Sequence, residues 1–369
     1  MLVTAPKTRP KRLGRPADRK DELVVCLRDS IISGELQPGG RMPTREQIIQ
    51  RFSASPVTVN SALAELRDSG FVEVRGNQGT FVAGILPHQT RYAIAFGMES
   101  DDTAGMGYTA SLARESARVS KTVVDHRELE IVPFYGLDRS WEAPDFVALM
   151  AEVRAHRIAG IIAANFIPEV VYAEDVVANN VPIVANVGSL VATECSTVQF
   201  DGASAAKMAF EYLAKRGVRR PGMIFSVKTN QLASSTWTDC AAAVGILIEP
   251  YLIQRSHLAA PSAAQSSAHL MMMLDDSRRP DALIIVDDNL VPHAVAGLID
   301  AGITADDGFP IVAHANFPWP TECPLPAARV GYDLRQMIET CVGIIDRMRS
   351  NGNEVEHLTI LPTMQLSKN

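Results

Sequence analysis

The stretch from residue 38 to residue 82 constrains this 369-residue chain more than any other. It contains Pro38-Gly39-Gly40-Arg41-Met42-Pro43-Thr44-Arg45, then Ser55-Pro56-Val57-Thr58-Val59-Asn60-Ser61, then Gly70-Phe71-Val72-Glu73-Val74-Arg75-Gly76-Asn77-Gln78-Gly79-Thr80-Phe81-Val82. Thr44, with Gln47 three residues on, reads as a capping box that starts one helix, and Ile48, Ile49 and Phe52 supply its buried face. Ser55-Pro56 starts another. The serine hydroxyl satisfies an orphan N–H, and proline at the first helical position loses no hydrogen bond. Val59, Ala62, Leu63 and Leu66 then face inward, which leaves Thr58, Asn60 and Ser61 facing out. Gly70 suits the left-handed residue past the helix end. Residues 71–75 and 80–82 alternate like strands around a turn at residues 76–79. Ahead of all this, Leu23, Leu27 and Ile31 predict a helix over residues 20–33, stopped by Gly34. The expected product is three helices and a two-stranded wing, a device that lays one helix in the DNA major groove.

Charge divides the chain. Residues 1–84 hold 13 Lys+Arg against 9 Asp+Glu, and the remainder holds 22 against 33, for a net charge of −7. Attraction to phosphate is screened within about 10 Å at moderate salt, so the local excess matters more than the total. Lys7, Arg9, Lys11, Arg12 and Arg15 precede the first helix among prolines and a glycine, so residues 1–18 read as a flexible basic arm that tethers to a DNA backbone. The length calls for more than one core. No apolar run approaches the roughly 18 residues of a membrane span, and no apolar signal core follows the basic start, so a cytoplasmic protein is expected. Cys26, Cys195, Cys240, Cys323 and Cys341 form no C-x-x-C pair and read as buried, reduced thiols.

From Arg91 onward, strands alternate with helices. Short apolar runs at residues 92–96, 129–134, 160–164, 181–184 and 197–200 are separated by helical stretches around 111–120, 144–156 and 168–179. A helix at 203–216 comes next, and the theme restarts. Strands are expected at 222–225, 282–286 and 310–313, helices at 265–274, 290–301 and 334–350, and an extended closing segment at 358–366. Fully apolar strands between amphipathic helices imply parallel sheets covered on both faces. Two successive runs of this kind imply two α/β lobes with a cleft between them.

Residues 20–83 resemble the winged-helix DNA-binding domain of the GntR family of transcription regulators. The resemblance rests on the Gly34…Pro38-Gly39 loop, Met42-Pro43-Thr44, Ser55…Thr58-Val59…Ala62-Leu63…Leu66, Gly70, and Gly79-Thr80-Phe81-Val82. It implies DNA contacts from Thr44, Arg45, Ser55, Val57, Thr58, Asn60, Ser61, Gln78, Gly79 and Thr80. The chain departs from the family pattern at Glu46 and Pro56, where an arginine is usual, and at Asn60; Arg45 stands beside the first of these. Residues 91–366 resemble the effector-binding domain of the LacI/GalR family, which shares its fold with periplasmic sugar-binding proteins. The carrying residues include Asn180-Val181-Pro182-Ile183, Phe200-Asp201-Gly202, Lys215-Arg216-Gly217-Val218, Arg279-Pro280-Asp281-Ala282 and Ala301-Gly302-Ile303. The combination resembles the arabinose-responsive subgroup of GntR-type repressors.

These resemblances imply an α/β protein with an N-terminal winged helix-turn-helix over residues 19–84, a linker at 85–90, and a two-lobed periplasmic-binding-protein-like domain over 91–369 with parallel sheets and a central cleft. They imply a ligand-responsive repressor, not an enzyme. It would act as a homodimer joined mainly through the C-terminal lobes on a pseudo-palindromic operator of double-stranded DNA. A small-molecule effector, a sugar or related metabolite, would lie at the loops after the strand ends. Candidates there are Asp101, Asp102, Tyr135, Asn165, Phe166, Asn186, Ser226, Trp237, Asp287 and Asn316. Sugar binders of the family usually carry an arginine in the stretch 234–240 and an aspartate where Ala315 falls; neither is present, which argues against a simple sugar.

The alternative is an α/β enzyme, using a nucleotide cofactor or pyridoxal phosphate, fused to a DNA-binding head. Gly105-Met106-Gly107-Tyr108-Thr109-Ala110 fits the dinucleotide pattern G-x-G-x-x-A. However, the preceding strand should end near Phe96, and no acid ends the next one, so the glycines read as a loop near the cleft. No G-x-S-x-G, H-E-x-x-H or zinc-spaced Cys/His set occurs, so no metal and no cofactor are expected.

Overall fold

The computed structural model describes residues 19–98, 107–120, 123–124, 127–187, 195–227, 231–258, 260–272, 274–352 and 354–366. The basic arm lies outside these residues, as do Asp101 and Asp102.

The head begins with α1 (Arg19–Ile32), α2 (Arg45–Phe52) and α3 (Pro56–Asp68). Both caps expected from the residues form. The Gln47 N–H donates to Thr44 Oγ1 at 3.3 Å, and the Thr44 N–H donates to Gln47 Oε1 at 2.8 Å. Ser55 Oγ accepts from the Thr58 N–H at 3.1 Å. Gly70, at φ +81°, lets the chain leave α3. Strands β1 (Val72–Val74) and β2 (Thr80–Val82) then pair antiparallel in the register Val72↔Val82. The glycine loop before α2 does more than turn. The Gly39 N–H donates to the Val82 carbonyl at 3.1 Å and the Met42 N–H to the Thr80 carbonyl at 2.9 Å, so this loop flanks β2 as a further extended segment. Leu27, Ile31, Ile48, Val59, Leu66 and Phe71 share the core that fixes these pieces. Residues 85–90 do not hang free. Leu86 is buried in that core, Pro87 sits against Gly70, and the His88 ring stacks on Phe71 at 6.4 Å.

The rest of the chain builds two six-stranded sheets. The first lobe contains β3 (Arg91–Ala95), β6 (Glu130–Phe134), β7 (Gly160–Ala163), β8 (Ile183–Val187) and β9 (Ser196–Phe200). A small hairpin of β4 (Val123–Val124) and β5 (Arg127–Glu128) precedes β6. Helices α4 (Gly107–Val119), α5 (Pro144–Arg154), α6 (Pro168–Val171) and α7 (Glu174–Ala178) connect them. The single helix expected over 168–179 is in fact these two short ones, because Ala173 is extended, at φ −60° and ψ 131°, and drops its methyl into the core.

The second lobe contains α8 (Gly202–Ala214), β10 (Pro221–Ser226), α9 (Gln231–Ala243), β11 (Ile253–Ser256), α10 (Ala260–Met272), β12 (Ala282–Ile285), α11 (Val291–Asp300), β13 (Ile311–Phe317) and β14 (Ala328–Asp333). Strands β10–β14 are parallel in the order β11-β10-β12-β13-β14. Alternate residues face opposite cores: Met223, Phe225 and Ile284 meet α8 and α9, while Ile224, Leu283 and Ile285 meet α10 and α11.

The chain then returns. Helix α12 (Leu334–Asn351) packs under β7, β8 and β9 of the first lobe. The closing segment, expected to be continuous, splits at Leu361-Pro362. Strand β15 (His357–Ile360) pairs parallel with β9, and β16 (Thr363–Gln365) pairs antiparallel with β14. Three crossings therefore join the lobes: β9 to α8, β14 to α12, and β15 to β16. One hydrophobic core runs through them, from Tyr92 and Ile94 to Phe225 and Tyr332. The thiols are less uniformly buried than expected. Cys195 and Cys341 are buried, Cys240 and Cys323 are half-buried, and Cys26 is exposed on α1.

Candidate functional site

On the head, α3 exposes Val57, Asn60 and Ser61, and Thr58 is half-buried. Ser55 and Thr58 hold each other, their hydroxyl oxygens 2.8 Å apart. This fixes the first turn of α3 and uses part of their hydrogen-bonding capacity. Arg45, Asn60, Arg67, Val74 and Thr80 line one concavity of about 310 Å³ between α2, α3 and the wing. Thr44 spends its hydroxyl on the cap and leaves Arg45 exposed beside it. Ser61 lies on the other flank of α3, in a crevice shared with Lys20, Glu65, Asp68 and Arg157 of the first lobe. At the wing, Gln78 is exposed, and Gly79 holds φ +112° with the Arg41 guanidinium 3.4 Å from where a Cβ would sit. Three arginines of this face escaped the sequence reading. Arg41 reaches the wing only because its loop pairs with β2. Arg75 stacks over Phe81 at 4.5 Å and pairs with Glu73, and Arg67 pairs with Asp68 at 2.9 Å.

The proposed effector residues meet different fates, and the cavity that one of them, Trp237, lines is walled by the second lobe alone. Trp237, His314 and Tyr332 line one cavity of about 130 Å³ with Gly202, Val286 and Val330. Trp237 is set edge-on to Phe210 at 6.1 Å and to Phe225 at 6.3 Å. Asn316 is buried next to Tyr332 in the β13–β14 register, and its Nδ2 donates to Asp288 Oδ2 at 2.5 Å. Its Oδ1 has no partner among the described residues, and neither does Asn186 Nδ2, at the cleft end of the first sheet. Ser226 is buried at the end of β10. Asp287 turns back on its own loop, accepting from the Asn289 N–H at 3.0 Å and from Asn289 Nδ2 at 2.7 Å. Tyr135 stacks on Phe96 at 4.9 Å, where burial and then Asp145 raise its hydroxyl. Phe166 leans edge-on to Tyr172 at 6.4 Å, against the outer core of the first lobe, and Asn165 is exposed.

Residues beyond that set seam the cleft. Phe200 from the first lobe stacks on Tyr332 from the second at 4.3 Å and 12°, and Tyr108 meets Phe200 edge-on at 6.1 Å. Tyr108 also donates to the Ala164 carbonyl at 3.2 Å. Burial raises both tyrosine hydroxyls. Helix α4 of the first lobe docks on the second: the Gly107 N–H donates to Asn289 Oδ1 at 2.6 Å, and Trp319 Nε1 donates to Glu115 Oε2 at 2.9 Å. Asp288 is buried at this seam. Burial raises its carboxyl, Asp287 adds to that, and His314 opposes it. The paired acids at the end of β12, the glycine run around Gly107 and Asn316 were the sequence signals for this place. Among the described residues no His, Cys, Asp and Glu cluster has the makings of a metal site, and no helix is long and apolar enough to cross a membrane.

Comparison with known proteins finds two separate family matches along the chain. Residues 20–82 match the model of bacterial regulatory proteins of the gntR family, and residues 210–368 match a periplasmic binding protein-like domain. The chain is 36% identical over 74 residues to the HTH-type transcriptional regulator TauR of Rhodobacter capsulatus, a match covering 20% of this chain and 15% of that one. It is 34% identical over 68 residues to the histidine utilization repressor of Klebsiella aerogenes, covering 18% and 28%. The chain thus spans less than a third of either relative. Among solved structures, a LacI-family regulatory protein from Chloroflexus aggregans superposes with a TM-score of 0.56 at 18% identity, over 77% of this chain and 99% of that one. The transcriptional regulator CelR in complex with cellobiose also superposes at 0.56, at 15% identity, over 88% and 99%. At such identities the likeness speaks for the fold. The chain therefore carries a gntR-type helix-turn-helix domain at its N-terminus, followed by a periplasmic-binding-protein-like domain with the fold of LacI-family regulators.

Proposed function

We propose that this protein is a cytoplasmic, ligand-responsive transcription regulator, a repressor whose operator affinity is set by a small metabolite held between the two lobes. The observation that carries this reading is the outward side of α3. Asn60 sits with Arg45 and Thr80 around one concavity, on a head joined to the lobes by a packed rather than a loose connector. Helix α3 enters the major groove, Asn60 and Val57 meet base edges, and Arg45, Arg41 and the wing hold phosphates. Two heads, presented by a homodimer, read a pseudo-palindromic operator. The neighbouring regulator CelR binds cellobiose, which supports a sugar-sized ligand in the cleft. Here the wall differs from the expected sugar site: α9 supplies Trp237 and no arginine, and Ala315 is a buried methyl. The metabolite is therefore one held by aromatic faces and His314 rather than by a guanidinium fork, and the place beside the arabinose-responsive regulators is part of this proposal.

Fluorescence anisotropy on genomic operator fragments tests the head. Arg45→Ala with Asn60→Ala should weaken binding by at least about tenfold and flatten the salt dependence by roughly one phosphate contact. Unchanged affinity would remove the head from the reading. A thermal-shift screen of metabolites tests the lobes separately.

A further inference from the structure

We propose that the two lobes are latched by a cap supplied across the cleft: Asn289 of the second lobe caps α4 of the first, on a glycine that only the neighbouring Asp288 makes necessary. This rests on the reading of the cleft as the moving part of a sensor, and it names the contacts that must break when the cleft opens. The first N–H groups of a helix have no partner within it. At α4 the Gly107 N–H is satisfied from the other lobe, by Asn289 Oδ1 at 2.6 Å. Asn289 is itself aimed by Asp287, which accepts from its side chain at 2.7 Å. Asp288 lies against the same helix end, held by Asn316, so its carboxyl oxygens face the positive end of the α4 dipole. A Cβ on Gly107 would overlap Asp288 Oδ2 and stand 2.6 Å from its Cγ. One turn further on, Ser111 Oγ donates to the Trp319 carbonyl at 3.3 Å, and Trp319 Nε1 returns a bond to Glu115 at 2.9 Å, with Arg114 over the indole at 4.8 Å. One face of α4 is thereby tied to two loops of the second lobe, 287–289 and 317–319.

The sign of one substitution separates this from a merely local role. Gly107 does not have the positive φ that only glycine tolerates. If nothing stood opposite, Gly107→Ala would strengthen α4, because alanine is the better helix former, and would slow amide exchange in its first turn. With Asp288 opposite, the methyl pushes the lobes apart. Hydrogen–deuterium exchange of the full chain, without DNA and without metabolite, reads the difference. Gly107→Ala should speed exchange in residues 107–112 and in both loops together. Asn289→Ala should speed exchange in 107–112 by about fivefold, the usual effect of losing a cap. Slower exchange in 107–112 of Gly107→Ala, or acceleration confined to 287–289 in Asn289→Ala, would overturn the latch. Should Gly107→Ala lose protection across β12 as well, Asn289→Ala and Trp319→Phe decide the matter, since neither adds bulk at the seam; acceleration of α4 in both supports the latch and its absence in both refutes it. The readout needs no operator, so a head that fails to bind DNA leaves this result standing, and a failed latch leaves DNA recognition untouched.

Discussion

His88 shows how a single side chain ties the head to the first lobe. It stacks on Phe71 of the head, and its Nδ1 is buried with no partner among the described residues. Burial first, then Arg349 and His156, hold its imidazole down at about 4. His156 is lowered in the same direction by burial and Arg28. The unfolded chain, with an ordinary histidine near 6.5, therefore takes up protons before the folded chain does. The stability contributed by neutral His88 is complete above about pH 6.5 and is lost as pH falls toward 4. Melting temperature should drop over that window, and His88→Leu should flatten the drop; parallel curves for both proteins would disprove the assignment. The sequence marked His88 only as part of a linker, because its burial depends on Phe71 and on a lobe it cannot foresee.

At the scale of elements, close approach decides which glycines are needed. Helices α10 and α11 pack so tightly that a Cβ on Gly297 would overlap the Ala264 carbonyl oxygen and lie 2.8 Å from its carbon, while Ser267 Oγ donates to the Ala294 carbonyl at 2.7 Å. Gly297→Ala should thus destabilise the second lobe by about 1–3 kcal/mol, the usual cost of overpacking. Chemical denaturation would show an earlier transition for that lobe; an unchanged midpoint would mean the helices slide apart freely. The head elements were legible in advance because their signals are local: a capping box at Thr44, Ser55-Pro56 at α3, and Gly70 after it. Strand β14 was not. Its six residues Ala328-Arg329-Val330-Gly331-Tyr332-Asp333 do alternate, but so short a run carries little weight after the prolines at 318, 320, 324 and 326, and it is secured as a strand by pairing with β13 over six residues. Likewise α9 and β11 have no strong period and take shape against β10 and α8.

For the whole molecule, three crossings and a continuous core make the lobes two halves of one domain rather than two beads. A metabolite that binds the folded protein should raise stability by about 2.7 kcal/mol at 100 times its dissociation constant. It should do so equally with and without the Arg45→Ala change, because head and cleft share no residue. A ligand whose thermal shift vanishes in the Arg45 variant would place its site on the head. Sedimentation on operator DNA should give two chains per duplex; one chain per duplex would end the symmetric model.

What the sequence determined by itself was whatever neighbouring residues can settle: the caps and turns of the head, its outward row on α3, and the alternation of buried strands with helices. Which faces meet was decided only in three dimensions. Asp287 was singled out by position, yet it serves its own turn, while Asp288 and Asn289 beside it reach the other lobe. Leu361-Pro362 divides one extended run between two sheets. Arg41 joins the wing, and Phe200 finds Tyr332, across separations no local pattern spans. The physical reason is the same each time. Hydrogen bonding within a turn or helix is read from adjacent residues, but burial and capping by distant groups exist only once the chain has closed on itself.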